Sequence, residues 1–266
     1  MLEDTSAFPP DEWKNFAPRL DYNTRKVLET LERKNTKGVF YVLGWVAEHY
    51  PLLVRDIMLA GHEIGYHTYH HHNIDMFTPD SFETDLNRGL DLLQGITGSR
   101  PTYFRAPNFS MHQGNLWAVP ILLRNGIKIN SSIRVHSLDR KNMLPQKPFK
   151  WECKGEHLWE FPLSSFSLGP FLIPYSGSGF FRILPDFLIH HFTGRSCYNM
   201  FYFHPRDFDP NPRRSDRLSH FRNFKNALFT KSALTRLEKL VSMHEFTTFA
   251  SFLHMNYDCE IMPVRL

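Results

Sequence analysis

Between residues 21 and 131 short apolar runs alternate with amphipathic stretches, and this alternation restricts the chain to few folds. Gly38-Val39-Phe40-Tyr41-Val42-Leu43 is continuously apolar, the pattern of a strand covered on both faces. Before it, Asp21 to Asn35 sets Val27, Leu28 and Leu31 among charges, an amphipathic helix. After it, Pro51 opens and Gly61 closes a helix. Glu63 to Tyr66 is the next strand. Thr78-Pro79 reads as the cap and first residue of a helix that places Phe82, Leu86, Leu90 and Leu93 on one face. Thr102 to Arg105 is a strand, and Asn115 to Asn125 a helix closed by Gly126, with Pro120 as a kink site. Ile127 to Ser131, Leu158 to Phe161 and Met200 to His204 read as further strands. Ser215 to Thr230 and Ser232 to His244 read as two closing helices, and Glu245 to Phe252 as a last strand. Such alternation predicts an α/β fold with a parallel sheet or barrel. Without an internal repeat or low-complexity linker, the 266 residues are read as a single domain.

Composition removes several classes of function. The chain is 42% hydrophobic with 24 Phe, enough for a buried core. A net charge of +4 with no long Lys/Arg block argues against a nucleic-acid arm. Basic residues do gather between Arg206 and Arg222, interrupted by Asp207, Asp209 and Asp216. That segment reads either as a solvated, partly neutralised surface or as a contact for phosphate or acidic sugar. Cys153, Cys197 and Cys259 are odd in number and lack a C-x-x-C pair, which argues against a disulfide framework and a cysteine zinc site. No apolar run reaches the length of a membrane span. Met1-Leu2-Glu3-Asp4 shows no signal-peptide pattern, so a cytoplasmic location is expected.

Five histidines fall within eleven residues, at His62, His67, His70, His71 and His72, around the end of the Glu63 strand. Imidazole is a common ligand of transition metals. His67 and His71 are four apart, so a helical turn or tight loop could aim both at one ion. The pattern H-E-x-x-H is missed by one residue, because His62-Glu63 reaches His67 after three intervening positions. A histidine-rich surface loop with adventitious metal affinity remains the competing reading.

Other polar residues also fall at expected strand ends, where parallel α/β folds carry their chemistry. Glu3 and Asp4 follow a candidate first strand. Arg105 ends its strand before Ala106-Pro107, Glu160 lies within Trp159-Glu160-Phe161-Pro162, and His204 precedes Pro205. Singly, Arg105 could be a surface cation and His204 a core histidine.

These segments carry a resemblance. The chain resembles the NodB-type polysaccharide deacetylases, in particular the subgroup found with exopolysaccharide gene clusters. The matching segments begin with Phe40-Tyr41-Val42-Leu43-Gly44-Trp45-Val46-Ala47-Glu48 and Gly61-His62-Glu63-Ile64-Gly65-Tyr66-His67-Thr68-Tyr69-His70-His71. Next come Tyr103-Phe104-Arg105-Ala106-Pro107-Asn108-Phe109-Ser110 and Asn130-Ser131-Ser132-Ile133. Gly179-Phe180-Phe181-Arg182 and Tyr202-Phe203-His204-Pro205 complete the set. The H-x-x-x-H and R-x-P elements are specific together and weak alone. The resemblance implies a distorted (β/α) barrel of about seven parallel strands, with residues 200–266 as a C-terminal extension packed on it. It implies hydrolysis of an N-acetyl, less often O-acetyl, group on a sugar in polysaccharide or glycolipid biosynthesis. The implied cofactor is a divalent metal, usually zinc, held by one aspartate and two histidines.

Carried onto this chain, the metal ligands are His67, His71 and Asp4, with Glu3 a close second for the carboxylate. His204 matches the acid that protonates the amine leaving group, and Arg105 the arginine that orients the catalytic carboxylate. Tyr103, Pro107, Phe109 and Trp159 are the candidate substrate contacts, although aromatics on strands also serve as core. His70 and His72 are expected to face solvent or support the ligands. An amide is a poor electrophile and water a poor nucleophile, and a metal with open coordination positions corrects both. One departure stands out. The subgroup's first strand usually carries D-V-E-D, with its first aspartate as general base, whereas here Met1 stands at that position and Glu3 is the candidate base. Asn130 likewise stands where the subgroup often has aspartate. Three readings follow: a metal-dependent sugar deacetylase, a catalytically impaired relative that binds glycan or a biosynthetic partner, and an unrelated metal-binding α/β protein.

Overall fold

The computed structural model describes residues 7–135, 144–169, 171–255 and 257–264. Glu3 and Asp4 lie outside the described residues. The chain falls into two compact units that it enters more than once. One comprises residues 38–163, 169–172 and 247–266, and the other residues 1–37, 164–168 and 173–246.

The first unit is built on a seven-stranded sheet. Its strands are Val39–Val42 (β1), Glu63–Tyr66 (β2), Tyr103–Phe104 (β3), Ile129–Asn130 (β4), Phe149–Cys153 (β5) and Glu156–Glu160 (β6). Two further short strands, Phe166–Leu168 (β7) and Phe171–Ile173 (β8), stand outside this sheet, and Ile261–Pro263 (β9) completes it. The order is β1-β2-β3-β4-β6-β5-β9. From β1 to β4 every pairing is parallel, as the helical crossovers between these strands require, and β6 also pairs parallel with β4 although the intervening β5 separates them in sequence. The expectation of parallel strands throughout is corrected at β5, which pairs antiparallel with β6 in register Trp151↔Leu158. Lys154 and Gly155 form the two-residue turn between them, both at positive φ, 53° and 85°. A tight hairpin of this kind follows the right-handed twist of its strands.

The crossovers follow the sequence closely. Pro79–Thr97 is a helix with Thr78 as N-cap, whose side chain accepts from Ser81 N, and Gly98 closes it at φ 77°. Phe82, Leu86, Leu90 and Leu93 on its inner face are fully buried. Gly89 on the same helix has a packing cause: a Cβ there would sit 1.9 Å from the Tyr66 ring. That close approach lets the Tyr66 hydroxyl donate to Asp85, at 2.7 Å from Oδ1. Pro51–Leu59 and Ala118–Arg124 are the neighbouring helices; the latter accommodates Pro120 in its first turn, so no kink is needed. The expected strand Glu245 to Phe252 is instead a helix, Phe249–Leu253, capped by Thr248. Its Phe249 and Phe252 rings pack 4.4 and 5.0 Å from Phe161, which explains the apolar run without a strand.

The second unit is mainly helical and rich in aromatics. Ala17–Arg33, Ser178–Ile183, Asp186–Arg195, His220–Ala227 and Thr230–Met243 are its helices. Tyr175, Phe181, Ile189 and Leu240 form a buried cluster with Phe166, Phe192, Phe201, Phe203 and Phe246 around it. A second cluster sets Phe208, Ala233 and Leu237 against Val27 and Leu234. The expected strand Met200 to His204 is reduced to one bridge, Gly177↔Tyr202. Phe201 and Phe203 alternate into the aromatic cluster, so strand-like periodicity arises without a ladder. No described helix is long and apolar enough to cross a membrane.

Candidate active site

The end of β2 sets the histidines. His67 N donates to Val42 O at 3.1 Å, extending the ladder by one residue. The chain then turns through Thr68 and His71, both at positive φ, 55° and 60°. Non-glycine residues are seldom held there, and such local strain concentrates at functional loops. The turn brings the His67 and His71 rings edge to face, with centroids 5.0 Å apart. His71 is buried and His67 half-buried. His67 Nδ1 lies 2.6 Å from the Arg105 carbonyl oxygen. A carbonyl only accepts, so Nδ1 carries the proton and Nε2 presents its lone pair. That is the tautomer a metal-ligating imidazole needs, with the second nitrogen already oriented. The donor chemistry at His67 and His71 therefore fits a divalent transition metal. No group of three or more metal-capable side chains occurs among the described residues; Asp4, the expected third ligand, is outside them, as is Glu3.

The remaining cluster histidines divide by role. His62 Nδ1 accepts from Gly38 N at 3.2 Å, a structural contact at the other end of β2. His70 packs edge-on against Tyr69 and, like His72, is half-buried. Burial pulls the His70 pKa down, and the neighbouring His72 adds to that.

Arg105 follows β3 and joins the same region. Its amide donates to Tyr66 O at 3.0 Å, and its carbonyl holds His67. Its guanidinium donates to Ser131 O at 2.9 Å and Ser131 Oγ at 2.7 Å. It also lies over the Tyr41 ring at 4.3 Å and the Phe109 ring at 5.2 Å. Pro107 is buried behind it, and Asn108 and Phe109 both adopt positive φ. Phe109 is thus held beside Arg105 in a strained turn. Tyr103 and Trp159 pack elsewhere: Tyr103 lies 5.9 Å from Phe249, and Trp159 lies 5.7 Å from Phe252 with Lys150 over its face at 4.5 Å.

Behind Arg105 sits a polar network whose members Asn130, Ser132 and Glu160 the sequence reading names but does not connect. Glu160 ends β6 and is fully buried. It accepts from Ser132 N at 2.8 Å, Asn130 Nδ2 at 2.5 Å and Trp151 Nε1 at 3.3 Å. Ser132 Oγ donates to Asn130 Oδ1 and accepts from Ala106 N at 2.8 Å, tying this network to the Arg105 turn. Burial pushes the Glu160 carboxyl up to about 7, outweighing those donors. The native state therefore binds this proton more tightly than the unfolded chain. Stability from Glu160 is fully present below its ordinary value of 4.5 and declines as pH rises towards 7. The difference amounts to ~3 kcal/mol. Urea unfolding at about pH 5 and pH 8 should reveal that slope, and Glu160→Gln should flatten it. A slope unchanged in Glu160→Gln would assign it to other groups.

In the second unit, His204 precedes a short turn, Pro205–Phe208. Asp207 lies three residues on, is buried, and accepts from His204 N at 2.8 Å. Its Oδ2 lies 3.3 Å from His204 Nδ1. Ser178 Oγ is within 2.8 and 2.7 Å of the two carboxylate oxygens, and Arg182 Nε is 3.3 Å from Oδ1. Although burial opposes it, the hydrogen bond and charge of His204, with Arg182 and Arg206, hold the Asp207 carboxyl well below the usual range. Sequence reasoning placed His204 in the site but met Asp207 only as a break in the basic segment, Arg182 only within a matching segment, and Ser178 not at all. The aspartate was findable, because Asp at the third position after a capping residue returns to the backbone N–H that opens the turn.

Comparison with known proteins agrees with these motifs. Residues 15–119 match the family model of polysaccharide deacetylase, and residues 131–254 match a domain of unknown function (DUF3473). A peptidoglycan-N-acetylglucosamine deacetylase of Bacillus cereus is 33% identical over 102 residues, which is 38% of this chain and 37% of that protein. A chitooligosaccharide deacetylase of Azorhizobium caulinodans is 32% identical over 85 residues, 32% of this chain and 40% of that protein. The chain thus spans well under two thirds of these relatives. A solved structure of a CE4 family pseudoenzyme from Bacillus anthracis superposes with a TM-score of 0.51 at 13% identity, covering 91% of this chain and 63% of that one. It shares the fold. Residues 15–119 are thus similar to the polysaccharide deacetylase family and residues 131–254 to the domain of unknown function, each match covering less than half of the chain.

Proposed function

We propose that the chain is a metal-dependent hydrolase that removes an N-acetyl, or less often an O-acetyl, group from a sugar in polysaccharide or glycolipid assembly. The observation that carries this reading is the His67–Arg105 hydrogen bond, which fixes a ligand tautomer beside a second imidazole, His71. His67, His71 and Asp4 would hold the ion, with zinc the best match to that donor set. Such an ion supplies Lewis acidity to the carbonyl and lowers the pKa of water. The chain's own groups do the rest. Arg105, fixed by Ser131, orients the catalytic carboxylate, for which Glu3 is the candidate. His204, held by Asp207, gives the departing amine its proton. Phe109 borders Arg105 and contacts the sugar, whereas Pro107 is buried behind the arginine and Tyr103 and Trp159 pack against Phe249 and Phe252. A second reading, glycan binding without turnover, is favoured by Met1 at the expected base position.

Metal analysis with an acetate-release assay on N-acetylglucosamine oligomers tests the reading. Purified protein should carry a divalent metal near one equivalent per chain, lose acetate release on chelation and regain it with zinc. His67→Ala should abolish metal content while His70→Ala leaves it largely intact. Equal loss from both variants would favour a histidine-tract site. Metal retention without acetate release from any acetylated sugar would favour the binding-only reading.

A further inference from the structure

The basic segment that the deacetylase chemistry leaves unused runs into a helix with exposed phenylalanines. None of the residues of helix His220–Ala227 is buried. Phe221 and Phe224, one turn apart on that helix, are 75% and 61% exposed, and Phe229 just beyond is 53% exposed. Burying large aromatics is the ordinary way a fold gains stability, so three phenylalanines left in water on one short stretch mark a surface that something else covers. The stretch is anchored from below. Asn223 bonds inward to Ser215 and Leu218, and Arg182 donates to Asn226 O at 3.2 Å and to Leu228 O at 2.5 Å. The phenylalanines therefore point outward from a fixed base.

Around them the charge is of one sign. Residues 211–232 contain Arg213, Arg214, Arg217, Arg222, Lys225 and Lys231 against a single acid, Asp216. Arg217 is paired with Glu12 at 2.6 Å, and the other five basic side chains are exposed. Exposed phenylalanines on a short amphipathic helix, ringed by lysine and arginine, match the interfacial boundary of an anionic bilayer.

We propose that residues 211–232 form a docking surface for an anionic lipid bilayer, with Phe221 and Phe224 entering the acyl boundary and Arg222 and Lys225 meeting the headgroups. Two other occupants fit less well. A second copy of the chain would set this basic ring against itself in a two-fold contact. An acidic polysaccharide would be read by tyrosine or tryptophan with polar partners. The aromatics of this stretch are all phenylalanine, and Asn223, its nearest carboxamide, is turned inward.

Vesicle co-sedimentation of the full chain tests this. The probes are phosphatidylcholine vesicles and vesicles of equimolar phosphatidylcholine and phosphatidylglycerol. Binding is expected to the anionic vesicles only, and to weaken as salt rises. Phe221→Ser and Phe224→Ser should each weaken it on the order of tenfold. Arg222→Ser and Lys225→Ser should each cost about fivefold. Because these side chains lie outside the core, melting temperatures should be unchanged. Equal binding to neutral vesicles, no binding to either, or binding that these variants leave intact overturns the proposal. So does retention on an immobilised acidic polysaccharide without vesicle binding, or a dimer in light scattering that the phenylalanine variants dissociate.

Discussion

Asp207→Ala is expected to destabilise the fold by about 3–5 kcal/mol, the usual cost of removing one partner from a buried ion pair. Asp207 is 1% exposed and Arg182 6% exposed. The carboxylate accepts from Ser178 Oγ and His204 N and neutralises Arg182 across 3.3 Å. Without it, a buried guanidinium keeps its charge in a poorly polar environment. Urea unfolding would measure the loss. Arg182→Met in the same chain should recover part of it, since the uncompensated charge is then gone, whereas two independent losses would simply add. The pH dependence has the opposite sign to that of Glu160. The folded pKa of Asp207 is depressed, so its contribution is present above the ordinary aspartate value and is lost as pH falls below it. Wild-type protein should therefore lose more stability under acid than Asp207→Ala does. An Asp207→Ala variant as stable as wild type would mean that this pair is decorative.

How far the sequence reveals this molecule depends on the range of the interactions. Helix Pro79–Thr97 was legible from Thr78-Pro79, four leucine or phenylalanine positions and Gly98, because caps and periodicity are local. The end of β2 and its histidines were legible for the same reason. The hairpin of β5 and β6 was locally encoded too, by Trp151, Cys153 and Leu158 alternating about Lys154-Gly155, yet the glycine turn went unread. Met200 to His204 misled, because Phe201 and Phe203 alternate towards an aromatic cluster rather than a sheet face. Within the candidate site, residue types at strand ends pointed to His67, His71 and Arg105. The contacts that fix them did not appear. His67 is held by Arg105 38 residues away, Arg105 by Ser131 26 residues on, and Asp207 by Ser178 29 residues before it. Such supporting bonds depend on which segments the fold brings together, which a single sequence read by itself specifies only weakly.

The other large effect concerns proton transfer. His204→Ala and Glu3→Gln are each expected to lower acetate release by about 10²–10⁴-fold while bound metal persists, the typical worth of a positioned acid or base. For His204 the support is geometric: Asp207 takes its amide and sits beside Nδ1, and Ser178 lies 3.4 Å from the same nitrogen, so the ring is held at that edge. For Glu3 the support is the sequence alone, since Met1 cannot take a proton and Glu3 is the nearest carboxylate besides the expected ligand Asp4. The two variants separate what one could not. If His204→Ala falls by orders of magnitude and Glu3→Gln does not, the acid is in use and the base lies elsewhere. Met1→Asp, placed behind a completed upstream strand, then becomes the informative change. A gain in acetate release would show that the metal ligands, Arg105 and His204 are competent and that only the base is missing. If wild type and Met1→Asp are both inactive with metal bound, glycan binding becomes the better account. Arg105 donates twice to Ser131, which fixes the plane of its guanidinium. An arginine fixed in that way can orient a carboxylate at either position without rearrangement, so restored activity should not require a second substitution.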